Sequence, residues 1–351
     1  MTFFPSVGPK DKAAHTYYDE ALGLIERADE LGYAHVKTIE HYFFRYGGYS
    51  PDPVTFLTAA AARTSRIRIT TGAVIPAFTH PVKLAGKLAM LDNLSHGRLD
   101  VGFGRAFLPD EFEAFGVPID ESRARFAEGL EACRRLWTEE DVIFEGDFHR
   151  FGPVTLQPRP FQRPHPPIYV ATAMSQDSVE EAGRKGYNLQ LVPATSNRER
   201  TRELIDAYHA ARASGGHQGA GKVQLSYPCY VAEDGAEARR LARSDEERYN
   251  ERLGEAVQAW GRVASSAYPG YDKILAATKN YDFDTKLGDH KLLAGSPEEV
   301  RAQLATIQGW FGDDITVSLT VHSGLLPVEK SRRTVDLFAA EVAPAFTAST
   351  R

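Results

Sequence analysis

The chain has 351 residues, 42% hydrophobic and 25% charged, with a formal net charge of −6. That balance is ordinary for a globular protein, and a pI near 6.0 argues against a general nucleic-acid binder. No apolar run is long enough to span a bilayer, and the opening MTFFPSVGPKDK lacks the charged and apolar regions of a secretory leader, so a cytoplasmic protein is expected.

Phe3-Phe4 opens a short first strand that ends in a Gly8-Pro9 loop. Ala21, Leu24, Ile25, Ala28 and Leu31 recur with helical spacing, and Gly32 ends that helix. Residues 34–38 predict the second strand, with Ile39-Glu40-His41-Tyr42 at its carboxyl end. A loop rich in glycine and proline (47–53) leads to a helix over 54–63. Residues 67–75, rich in β-branched side chains, predict the third strand, and 82–91 the third helix. The stretch LDNLSHGRLDVGFGR (91–105) then supplies a helix end, a turn on Ser95 and Gly97, a fourth strand over 99–101, and a glycine-flanked arginine.

Phe126, Leu130, Cys133, Leu136 and Trp137 mark the fourth helix, and residues 142–160 read as a β-hairpin with a proline-rich loop. Strands follow at 167–171, 187–191 and 223–231, with helices over 178–184, 200–213 and 236–257. A long loop rich in Tyr, Gly and Asp covers 268–289. A short helix (297–307), an eighth strand (315–321) and a helix over 331–342 close the chain. Alternating strands and helices imply a parallel sheet with crossover helices, and eight such units point to a (β/α)8 TIM barrel as a single domain over 1–351. A basic barrel needs about 250 residues. The hairpin after the fourth helix and the long loop before the eighth strand are the insertions.

In this fold, ligands collect at the carboxyl ends of the strands. Three clusters lie there: Glu40-His41, Gly102 to Arg105, and Ala173 to Ser178. Gly102 and Gly104 let the backbone pass close to a bulky group, and Arg105 offers a planar fork of donors, so this strand end suits an anionic, phosphorylated cofactor. The third cluster opens a helix whose free N–H groups and dipole favour a phosphate, the dipole contributing roughly 0.3–1 kcal/mol. Plainer roles stand beside each of these. Arg105 can pair with a carboxylate of the EFEAFG segment, Ser175 can simply cap its helix, and a lone histidine is often structural. The other histidines and the two cysteines, Cys133 and Cys229, show no ligand spacing, so no metal is expected. There is no GxSxG elbow and no carboxylate pair at the strand ends, which sets aside serine and sugar hydrolases. The string GFGRAF keeps only two of three Rossmann glycines and is a weak dinucleotide signal.

In order and spacing, IEHYF (39–43), RIRITTGAVIPAFTHPVKLA (66–85), LDNLSHGRLDVGFGR (91–105), EFEAFGVPIDESRARFAEGLEACRRLWT (111–138), PHPPIYVATA (164–173), LAGSPEEV (293–300) and DLFAAEVAPAF (336–346) resemble the bacterial luciferase-like flavin-dependent monooxygenases. The resemblance covers almost the whole chain. It implies a barrel that takes FMN reduced by a separate NAD(P)H-flavin reductase, with O2 as co-substrate. One oxygen atom then passes from a flavin C4a-peroxide to a small organic substrate. It also implies a homodimer, with helices two and three as contacts, and no nucleic-acid or membrane partner.

By position, His41 matches the family's active-site histidine, which supports formation and use of the flavin hydroperoxide, with Glu40 beside it toward the cofactor. Arg105 matches the arginine on the FMN phosphate. Ala171, Ala173, Met174 and Ser175 match the segment along the phosphate and ribityl chain. Gly72 and Ala73 match a pair beneath the isoalloxazine ring that can be joined by a cis peptide. Residues 268–289 fall where the family has a mobile lid, so Tyr268, Tyr271, Tyr281 and Phe283 are the expected lining of a substrate pocket that excludes water. Tyr42 departs from the family's Glu-His-His string, Gly104 stands where luciferase has a reactive cysteine, and Ala106 where many members have glycine. Light emission is not implied. Two other readings remain on this barrel. One is an F420-dependent hydride-transfer oxidoreductase, whose members more often carry an Asp-His string. The other is a non-catalytic flavin-binding partner subunit, against which the presence of both His41 and Arg105 speaks.

Overall fold

The computed structural model describes residues 1–347. Its strands are β1 (Thr2–Phe3), β2 (His35–Thr38), β3 (Arg68–Thr71), β4 (Leu99–Gly104), β5 (Val142–Glu145), β6 (Arg150–Val154), β7 (Ile168–Thr172), β8 (Asn188–Leu191), β9 (Val223–Val231), β10 (Leu293–Gly295) and β11 (Ile315–His322). Strands β1, β2, β3, β4, β7, β8, β9 and β11 pair in parallel in that order, and β11 returns to β1, closing a (β/α)8 barrel. The β5–β6 pair is the expected antiparallel hairpin outside it.

The helices are α1 (Ala14–Glu30), α2 (Pro53–Arg63), α3 (Pro81–Leu94), α4 (Pro109–Ala114), α5 (Ser122–Thr138), α6 (Gln176–Arg184), α7 (Arg198–Ser214), α8 (Gly235–Ala256), α9 (Asp272–Lys279), α10 (Phe283–Gly288), α11 (Pro297–Phe311), α12 (Val328–Leu337) and α13 (Pro344–Thr347). Several barrel helices, α2, α6, α7, α8 and α11 among them, start on caps that the sequence supplies. Asp52 accepts from the N–H groups of Val54 and Thr55 ahead of Pro53, and Ser296 with Glu299 forms a reciprocal capping box. Trp137 is buried between α5 and α3, its indole N–H donating to the Ala85 carbonyl at 3.1 Å. No described helix is long and apolar enough to cross a membrane.

The barrel interior is unusually polar for a space that branched apolar side chains commonly fill. Lys37 Nζ donates to Ser226 Oγ at 2.8 Å, and His35 Nε2 lies 2.7 Å from Ser318 Oγ. Gln190 Nε2 donates to the Thr71 carbonyl and to Gln224 Oε1, each at 3.2 Å. Burial lowers the Lys37 ammonium to about 7. This filling corrects the reading of Gly102. A Cβ there would sit 2.2 Å from the Thr71 carbonyl oxygen and 2.7 Å from Gln190 Oε1, so the bulky neighbour is the barrel's own contents.

Two further elements differ from expectation. Residues 268–289 are largely helical, with α10 capped by Asp282, whose side chain accepts from the Thr285 N–H. The three residues of β10 pair with the end of β9, Leu293 opposite Cys229 and Gly295 opposite Val231. Three residues are too few for a strand periodicity to register in the sequence.

Candidate active site

Beyond β2 the chain folds back against residues 47–50. The His41 N–H donates to the Ser50 carbonyl at 3.2 Å, and Ser50 Oγ donates to the Ile39 carbonyl at 2.6 Å. Gly47, at φ +80°, passes so close that a Cβ would lie 2.6 Å from His41 Cβ; glycine meets both demands. His41 Nδ1 lies 3.0 Å from Glu111 Oε1 of α4, and the same oxygen accepts from the Tyr42 N–H at 2.8 Å. A carboxylate in that place selects the tautomer with the proton on Nδ1, which leaves Nε2 as the basic lone pair. Rings of Phe4, Tyr46 and Phe107 surround the imidazole at centroid distances of 6.0, 5.2 and 5.5 Å.

Glu40 lies beside this dyad, buried, with Oε1 accepting from the Tyr42 hydroxyl at 2.6 Å and Oε2 from the Ile75 N–H at 3.1 Å. Burial pushes its carboxyl up to about 8, so it is mostly a neutral acid at pH 7. The Gly72–Ala73 peptide that follows β3 is cis, and the Lys37 stem packs directly against Gly72. A Cβ on Gly104 would touch Ala73 Cβ at 3.0 Å and Ala171 Cβ at 3.8 Å. The ends of β3, β4 and β7 therefore meet in a floor of small residues.

Arg105 closes the other side. Its guanidinium lies 4.5 Å over the Tyr268 ring, and Nη2 donates to the Ala267 carbonyl at 3.0 Å. Nη1 is buried without a hydrogen-bond partner, and among the described residues Arg105 makes no ion pair. Burial lowers its pKa, and the charge of Arg123 lowers it further. Of the two EFEAFG carboxylates, Glu111 is engaged with His41 and Glu113 is exposed. Arg123 opens the first turn of α5, whose preceding residue Glu121 makes no side-chain cap, and it reaches Asp177 of α6 at 3.6 Å. A tight turn over 119–121 leads directly into α5 and takes the Ser122 N–H on the Ile119 carbonyl, so the cations here are the side chains of Arg105 and Arg123.

The profile for luciferase-like monooxygenases matches residues 1–314. The chain belongs to that family. It is an oxidoreductase of the monooxygenase type, on the family's barrel. The solved structure of monooxygenase RslO1 from Streptomyces bottropensis is 53% identical, with TM-score 0.90 and 99% of each chain covered. The oxygenase component of flavin-dependent trigonelline monooxygenase from Acinetobacter baylyi is 29% identical over 339 residues, 95% of this chain and 91% of that protein. An F420-dependent glucose-6-phosphate dehydrogenase from Intrasporangium calvum is 33% identical over 223 residues, 57% of this chain and 64% of that protein.

Placed on this luciferase-like barrel, Glu40, His41, Gly72, Ala73, Arg105 and Ala171 all lie at its carboxyl-end face. Ala173, Met174 and Ser175 continue half-buried along the rim after β7. Ser175 caps α6, accepting from the Ser178 N–H at 3.3 Å and the Ser178 hydroxyl at 3.0 Å, so the plainer role of that serine is realised. The four aromatic residues expected over the site divide. Tyr268 and Tyr271 join the aromatic shell that contains Tyr46, Phe107 and Trp260. Tyr281 and Phe283 pack instead in a separate cluster with Tyr230, Leu292 and Leu326. Glu111, Arg123 and Lys37 escaped the sequence reading. Glu111 was visible only as a rival partner for Arg105, because nothing local shows that it reaches a histidine 70 residues earlier.

Proposed function

We propose that the chain is the FMN-dependent oxygenase of a two-component system, supplied with reduced FMN by a separate NAD(P)H-flavin reductase, and that it transfers one oxygen atom from O2 to a small organic substrate. The observation that carries this reading is Arg105 at the end of β4, a half-buried guanidinium whose Nη1 is buried without a partner and which, among the described residues, pairs with no carboxylate. It suits a phosphate monoester, with the charge of Arg123 close by. Ala73, Gly104, Ala171 and the end of the Ile75 side chain give the strand ends an apolar surface that suits a flat ring system. FMN, when bound, supplies the electrons that activate O2. His41 holds and moves a proton at Nε2, and Glu111 keeps its ring oriented. Glu40, neutral at pH 7, adds no charge beside it. Phe4, Tyr46, Phe107 and Tyr271 keep water from the reacting atoms. The same reading takes the 351 residues as one catalytic domain working as a homodimer, and Met90 and Leu94, half-exposed on α3, suit the expected contact.

The experiment is an anaerobic titration with reduced FMN, riboflavin and reduced F420, followed by rapid mixing with oxygenated buffer. Reduced FMN should bind more tightly than riboflavin, and mixing should give a transient absorbance that free flavin does not show, with its lifetime changed in His41→Ala. The F420-related dehydrogenase favours the second reading, hydride transfer. Preferential binding of reduced F420 without such a transient would establish it.

A further inference from the structure

Among the described residues, Lys37 pairs with no carboxylate, although it is only 3% exposed. Its ammonium has three N–H donors and one partner, Ser226 Oγ of β9 at 2.8 Å. The ionisable groups around it carry no opposite charge to spare. Arg68 on the adjoining β3 takes Asp100 at 2.7 Å. Burial holds His35 well below its ordinary value, and the Met1 amino group, which donates to the His35 carbonyl, is lowered to about 4, so both are neutral at pH 7. Glu40, at the end of the same strand, is mostly a neutral acid there. Lys37 also reaches the candidate site from inside the barrel. A Cβ on Gly72 would lie 2.3 Å from both Cγ and Cδ of Lys37 and 3.1 Å from Cε, so the lysine stem fills the side-chain place of that glycine. The next residue, Ala73, belongs to the apolar surface at the mouth.

We propose that Lys37 is the counter-charge of the reduced cofactor, a cation behind Gly72 that favours the reduced ring over the oxidised one. The proposal rests on the reading of the mouth as an FMN site. The oxidised flavin ring is uncharged, whereas the two-electron-reduced ring gives up a proton near neutral pH and becomes an anion. A protein group tunes such a cofactor by its charge beside the ring. A cation held out of water is screened far less than an exposed lysine. Opposite unit charges about 6–10 Å apart, at an effective dielectric near 20, favour each other roughly ten- to hundredfold. The benefit is reciprocal. Burial leaves the ammonium about half-titrated at pH 7, and an anion at the mouth restores its hold on the proton. Arg105 faces the phosphate, which is the same in both redox states, so its charge does not enter this preference.

The test compares the affinities of the wild type and of Lys37→Met for oxidised FMN and, under anaerobic conditions, for reduced FMN. Methionine keeps an unbranched stem against Gly72 and removes the charge. The ratio of reduced to oxidised affinity should fall roughly ten- to hundredfold in the variant, a drop of about 30–60 mV in the two-electron potential of the bound flavin. Riboflavin should show the same change in ratio, because the effect acts on the ring and not on the phosphate. A role in packing alone would weaken both redox states equally. An unchanged ratio in Lys37→Met therefore overturns the proposal. Should Lys37→Met melt well below the wild type, Lys37→Gln, which keeps a donor for Ser226 without the charge, is measured in its place. A wild-type chain that binds neither FMN nor riboflavin in either state overturns the cofactor reading and this proposal with it. Flavin binding with an unchanged ratio overturns the role of Lys37 alone.

Discussion

On the β2 side of the barrel mouth, two buried carboxyl groups take hydrogen bonds from the chain itself, Glu111 Oε1 from His41 and the Tyr42 N–H, Glu40 from the Tyr42 hydroxyl and the Ile75 N–H, while Glu111 Oε2 is buried without a partner. On the β4 side, the half-buried cation of Arg105 has Nη2 on a carbonyl and a buried Nη1 without a partner. Both sides lie against one aromatic shell, but the His41 ring is oriented by a carboxyl group, whereas the Arg105 fork makes no ion pair among the described residues and rests on a ring face and a carbonyl. On the proposed function, the β2 side carries the proton transfer and the β4 side holds the anion. Chemistry and affinity should therefore separate between the two.

The largest effect tests that separation directly. His41→Ala should lower turnover by about 10²–10⁴-fold, the usual worth of a positioned acid–base group, while FMN affinity changes little. A parallel collapse of FMN affinity would mean that the imidazole is a cofactor contact and that the two sides are not independent. Arg105→Ala should do the reverse, with FMN affinity down about 10- to 100-fold, as expected for loss of a charge-assisted pair, and most of the turnover recovered at saturating FMN. Turnover that stays low at saturation would place Arg105 in the chemistry as well. Steady-state kinetics against FMN concentration, with KM and kcat read separately, decides both.

The same contrast explains what the sequence could disclose. The barrel was readable because its strands are β-branched runs set between amphipathic helices, and because eight such units close only one way. His41 and Arg105 were readable by address, each at the carboxyl end of a strand. The partners that set their behaviour were not, since Glu111 and Tyr268 reach them across 70 and about 160 residues. Gly102 and Gly104 look alike in sequence, but one faces the filled barrel and the other the small-residue floor. In 268–289, a composition rich in Gly, Tyr and Asp hid two short helices and the parting of Tyr281 and Phe283 from the mouth. Short capped helices depend on the surface they dock against, which local propensity does not contain.

The smallest effect concerns stability, and it distinguishes the two sides by pH. Burial raises Glu40 to about 8 from an ordinary value of 4.5, so between those limits the folded chain keeps a proton that the unfolded chain releases. Its contribution is fully present below pH 4.5 and is lost as the pH rises through 8. Glu40→Gln retains an acceptor for the Ile75 N–H and cannot ionise. It should melt like the wild type at pH 5 and be more stable at pH 9, by roughly 1–3 kcal/mol. Arg105 stays protonated across this range, so Arg105→Ala should shift stability without tilting it against pH. Lys37, lowered to about 7 by burial, tilts in the opposite sense, since stability gains as the pH rises from 7 toward 10.5. A Glu40→Gln variant that kept the wild-type slope between pH 5 and 8 would therefore assign that slope to some other buried acid and leave Glu40 charged at the mouth beside His41.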